Sequence, residues 1–103
     1  MASDNERRKR SFRQTKTWKS FRHEIISRDK NDCITGRKLL KGAEVHHEDL
    51  NPEHYKNLDA DNFIALNKQT HKFLHWIYNY YKTDRNVIVR LVRVLEKMVE
   101  LNP

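Results

Sequence analysis

A single cysteine, two glycines and two prolines among 103 residues leave this chain few covalent or conformational special devices. With only Cys33, an intramolecular disulfide is excluded, and so is a four-cysteine zinc knuckle. No apolar run approaches the length of a membrane span. The N-terminus opens on charge and never develops the apolar centre of a signal peptide, which predicts a cytoplasmic protein. Internal repeats and low-complexity tracts are missing as well.

Positive charge is what the chain has in excess. Lys and Arg number 21 against 14 Asp and Glu, for a net charge of +7 and a pI near 9.7. For one domain that is the electrostatic footprint of a nucleic-acid binder. A hydrophobic content of 37%, with 10% aromatic, supports one modest core. Domains this small are marginal, so a bound metal or a partner chain would add useful stability.

Residues 1–15 carry Arg7, Arg8, Lys9, Arg10 and Arg13 with little apolar content, which predicts a basic arm, loose when unbound, that tracks phosphates. From Lys16 to about Asp29, Trp18, Phe21 and Ile25 recur at helical spacing. Gly36 offers a tight turn, and residues 43–47 read as a short strand. Residues 48–61 are acidic and rich in turn formers, hence loop. Phe63 to Leu66 is an apolar run of strand length, and Asn67 is placed to cap a helix from about Lys68 to Lys82. A last helix, about 84–101, has an apolar stripe around half its circumference. It is expected either to close over the core with the Trp18 helix or to pair with a second copy.

Six histidines stand out in so short a chain, because four fall in one pattern. His71 and His75 sit four apart, on one helix face and close enough to share a ligand. Tyr78 and Lys82 continue that face, while Phe73, Ile77 and Tyr80 point the other way. Trp76 and the tyrosines read as core. His46 and His47 stand at a strand end, where neighbours normally point to opposite faces. They share a site only if the strand ends or distorts there.

The runs EVHHEDLN, NFIALNKQTH and HKFLH together resemble the HNH endonucleases of the ββα-metal fold, over roughly residues 33–76. The resemblance implies an α+β protein: a ββα-metal core at about 43–82 with flanking N- and C-terminal helices, within a single nuclease domain over 16–103. It implies that His46, His71 and His75 ligate one divalent metal, that His47 is the general base, and that Asn62 hydrogen-bonds across the loop and orients it. Many members add a structural zinc on four cysteines. Here Gly36, Asn67 and Thr70 stand where further cysteines would be, so helix packing is expected to replace that zinc. The freestanding form is similar to nucleases of phages and mobile elements.

The chemistry fits those residue types. A single metal offsets charge on the phosphate and on the leaving oxygen, and a neutral imidazole takes the proton from water near neutral pH. Three protein ligands leave positions open for substrate. Imidazole ligation suits zinc, nickel, cobalt or manganese better than magnesium. The expected partner is DNA, contacted by Arg7, Arg8, Lys9, Arg10, Arg13 and Lys82, with no membrane and with a homodimer through the last helix as an option. The alternative is a catalytically silent DNA-binding or packaging accessory of the same fold.

Overall fold

The computed structural model describes residues 3–103. Among these it is an α+β protein with four helices, α1 (Asp4–Arg13), α2 (Lys16–Asp29), α3 (Lys68–Tyr81) and α4 (Asn86–Leu101). Two strands, β1 (Glu44–His47) and β2 (Phe63–Leu66), form one antiparallel sheet. The described residues fall into two compact units, one ending at His71 and one beginning at Lys72.

Within the basic arm, residues 4–13 form a helix. Ser3 accepts from the Glu6 backbone N–H while the Glu6 side chain accepts from Ser3, a reciprocal capping box that satisfies two otherwise orphaned donors. Phe12 anchors the other end against Trp18 and Tyr55, with ring centroids 6.0 and 5.8 Å apart. Thr15 then caps α2 by accepting from the Trp18 N–H.

α2 lays its apolar face on the sheet. Phe21, Ile25, Phe63 and Ala65 form the buried centre, with Trp18, Ile26, Leu39, Val45 and Leu58 packed around it. Each large apolar side chain fully withdrawn here is worth about 1.5–3 kcal/mol. The register pairs Glu44 with Leu66, Val45 with Ala65, His46 with Ile64 and His47 with Phe63. Directly paired residues share a face, so Val45, His47, Phe63 and Ala65 line the α2 side, and Glu44 and His46 line the other. Arg28 reaches from α2 to the carbonyls of Ala60 and Phe63, at 2.9 and 2.7 Å. Asp29 accepts from the Ala65 N–H at 2.8 Å. The end of α2 is thereby clamped to the start of β2.

α2 stops at Lys30, whose φ of 62° lies in the left-handed region. Asp32, only 1% exposed, organises the turn after it. One carboxylate oxygen accepts from the N–H groups of Ile34 and Thr35, and the other from that of Asn67, all at 2.8–2.9 Å. Gly36 completes the turn at φ +72°. Asn67 stands at the head of α3, its carbonyl accepting from His71 N–H. Its side chain is committed elsewhere than the expected cap: it accepts from Leu40 N–H and donates to the Lys38 carbonyl. The 38–40 loop competes for that amide and holds it.

In the second unit, Asp84 accepts from Asn86 N–H at 3.0 Å and pairs with Arg90 at the start of α4. Arg85 stacks over Tyr81, 4.7 Å from its centroid. Ile77 is the buried residue of α3. The expectation of Trp76 and the tyrosines as core is corrected: Trp76 is 56% exposed and Tyr78 and Tyr80 are exposed too. No residue of α4 is fully buried. No helix among the described residues is long and apolar enough to cross a membrane.

Candidate metal centre

The period of two that defines a strand places Glu44 and His46 side by side on one face of β1. His71 comes to meet them. Its Nε2 lies 3.2 Å from His46 Nδ1, and its Nδ1 lies 3.3 Å from Glu44 Oε1. His75 follows His71 by one turn of α3, and the three imidazoles each offer a nitrogen within 4.8 Å of the others. Burial grades across the cluster: His46 is 8% exposed, His71 is intermediate and His75 is exposed. The group is anchored at one side and open at the other.

These three histidines could hold a metal ion. With metal–nitrogen bonds of about 2.0–2.1 Å, tetrahedral ligands stand roughly 3.3 Å apart, close to the 3.2 Å between His46 and His71. The same separation serves a hydrogen bond between the rings when one carries the proton. Glu44 weighs in favour of an ion. A carboxylate on the Nδ1 side of His71 favours the tautomer with the proton on Nδ1, in which Nε2 offers its lone pair to a metal, the usual outer support of a ligating imidazole. Sequence reasoning passed over Glu44, although alternation from His46 through Val45 puts it on the ligand face.

His47 takes the opposite face, as regular alternation dictates. Its ring stacks on Phe63, centroids 4.2 Å apart and planes at 12°. Nε2 is buried and has no hydrogen-bond partner among the described residues. Burial pushes its pKa below the ordinary 6.5, against the attraction of Asp49 and with help from the positive charge of Lys9 and from His54. The ring is therefore neutral at neutral pH. His54 is engaged with Asp49 at 2.8 Å.

Asn62 ends a short 3-10 turn just before β2. Its bond across the loop is made by the backbone, the carbonyl accepting from Glu48 N–H at 2.8 Å. That bond closes the sheet one step beyond His47. On α1, Arg7, Arg8, Arg10 and Arg13 are exposed and Lys9 is half-buried. Lys82 is exposed, with its ammonium 5.8 Å from the Tyr78 ring.

Comparisons with protein-family models, with curated proteins and with solved structures each find no match.

Proposed function

We propose that the protein is a metal-dependent DNA endonuclease of HNH type, built on a ββα-metal core formed by β1, β2 and α3. The observation carrying this reading is the convergence of His46, His71 and His75 from a strand and a helix. An ion held there would supply positive charge to offset that of the scissile phosphate and the leaving 3′ oxygen.

The remaining steps belong to the chain. His47, neutral through burial, is the base this reading assigns to the attacking water even though its ring lies on the opposite face of β1 from His46, and such a role typically contributes about 10²–10⁴-fold. Stacking on Phe63 limits the ring's rotation, and the Asn62 carbonyl fastens the backbone just after it. Glu44 holds His71 in its ligating tautomer. In this reading the cations of α1 follow the substrate backbone, and the positive charge of Lys9 is near enough to His47 to help lower its pKa. Products carry 5′-phosphate and 3′-hydroxyl ends.

The test is nicking of supercoiled plasmid across zinc, nickel, cobalt, manganese and magnesium. Cutting should require one of these ions and stop with EDTA. His47→Ala should abolish it while retaining the ion. A protein that shifts DNA in a gel but cuts with none of the metals is the silent DNA-binding accessory instead.

A further inference from the structure

One side of α1 borders a hollow. Arg7, Arg8, Ser11, Phe12 and Thr15 follow one another at steps of one, three, one and three, a spacing that gathers residues on a single helix face. Together with Lys56 they line an open cleft of about 310 Å³, at the small end of the range for ligand sites. Aromatic rings bring the loop of Lys56 to α1. Tyr55 meets Phe12 edge-on at 5.8 Å, and the Lys56 ammonium stands 5.9 Å from the Phe12 centroid and 5.7 Å from that of Tyr55. Cation–π attraction to both rings keeps the ammonium at the cleft. The Thr15 hydroxyl is already engaged, donating to the Phe12 carbonyl and accepting from Trp18 N–H. Of the two hydroxyls in the lining, Ser11 supplies the one for a ligand.

The charge around this cleft has one sign. Arg7, Arg8 and Lys56 bring three positive groups, and no Asp or Glu is part of the lining. None of the three joins an ion pair among the described residues; Arg8 donates to the neutral Asn5 side chain. The acids nearest along the chain are Asp4 and Glu6 on α1, and Glu53 and Asp59 on either side of Lys56. Glu6 is committed to the Ser3 cap and Asp59 to Asp61 N–H, and none of the four borders the cleft. Lys9, Arg10 and Arg13 also lie outside it. Three like charges around one hollow repel each other, and a bound anion removes that repulsion. Guanidinium forks match phosphate oxygens two at a time. A terminal phosphate carries about −1.5 to −2 at pH 7, whereas a phosphate inside a strand carries a single charge, so three cations favour the terminal group.

We infer that this cleft binds a phosphate dianion, borne on the end of a nucleic-acid strand or free in solution. The assignment rests on the cleft alone and stands whether or not the protein cuts DNA. On a strand, it makes part of α1 a reader of ends, and leaves Lys9, Arg10 and Arg13 to the backbone.

Three oligonucleotides of one sequence, each with an internal dye, test it by fluorescence anisotropy: one phosphorylated at the 5′ end, one at the 3′ end and one at neither. EDTA throughout keeps cleavage out of the readout. A phosphate at one of the ends should tighten binding about tenfold, the worth of one charge-assisted hydrogen bond. Lys56→Gln, and separately Arg7→Gln with Arg8→Gln, should bring that ratio close to one. All three positions are exposed, so the fold should survive, as circular dichroism would verify. Arg10→Gln with Arg13→Gln should weaken all three strands alike and preserve the ratio. Inorganic phosphate is titrated in parallel at constant ionic strength and followed by phosphorus NMR. Line broadening that the cleft variants lose, without any preference among the strands, assigns the cleft to free phosphate. Absence of both effects overturns the inference, and so does either effect persisting in both cleft variants.

Discussion

Asp32→Asn isolates the electrostatic centre of the first unit. The wild-type carboxylate is almost fully buried, and burial alone would raise its pKa. Hydrogen bonds from Thr35, Asn67, Thr70 and Ile34 outweigh that and hold it at about 2, against an ordinary 3.8. The difference corresponds to about 2.4 kcal/mol of folding stability. Because the folded pKa is depressed, this stabilisation is complete above the unfolded value, near pH 4, and disappears as pH falls towards 2. An asparagine keeps one acceptor for Ile34 and Thr35 but turns an amide N–H towards the Asn67 N–H, stranding a buried donor. The combined loss should be about 3 kcal/mol at pH 7, or a fall in Tm of about 10–20 °C for a chain this short. Urea unfolding of both proteins in EDTA, at pH 7 and in steps down to pH 2, measures it. The gap should narrow by about 2 kcal/mol by pH 2, most of it below pH 4. A variant within about 1 kcal/mol of wild type at pH 7, or a gap that is constant with pH, refutes the account.

Zinc or nickel at a hundred times its dissociation constant should stabilise the protein by about 2.7 kcal/mol, and His71→Ala should erase that rise in Tm. Glu44→Gln should weaken metal affinity by about 10–100-fold, measured by competition with a chelating dye, while leaving the metal-free Tm close to wild type. Cleavage should hold as pH falls to the ordinary imidazole range and fail only below it, because burial depresses the His47 pKa; a rate that halves above pH 6.5 would contradict the buried base. Replacing Arg7, Arg8, Arg10 and Arg13 by Gln should weaken DNA binding and reduce the magnitude of the log K against log salt slope by up to about 3.6. An unchanged slope removes α1 from the DNA surface.

Elements with strong periodicity were legible from the sequence. α2 and β2 run over the residues their apolar spacing marks, and His71 and His75 lie one turn apart as that spacing requires. α1 was not legible from composition, since ten largely basic residues cannot bury a core. Its signal was local, in the Ser3 to Glu6 capping box and in Phe12, and composition masked both. Asn67 misled because a cap and a loop brace need the same amide, and only the fold shows which one holds it. Trp76 misled in the other direction: aromatic character predicts burial, but burial depends on a neighbour that the helix pattern does not supply. The gathering of His46 with His71 was readable as soon as β1 was taken as a regular strand, which also dictates that His47 face away.

The doublet at positions 46 and 47 has an evolutionary side-effect. If β1 slid by one residue against β2, an imidazole would still meet His71, so the ligands themselves do nothing to penalise the wrong alignment. The penalty falls on Val45, which would leave the α2 core for the metal side. In the proposed metal site, an aliphatic side chain thus decides which ring joins His71 and which is left over. If the proposed function holds, damage at Val45 would present as lost cleavage in a protein that still takes up metal.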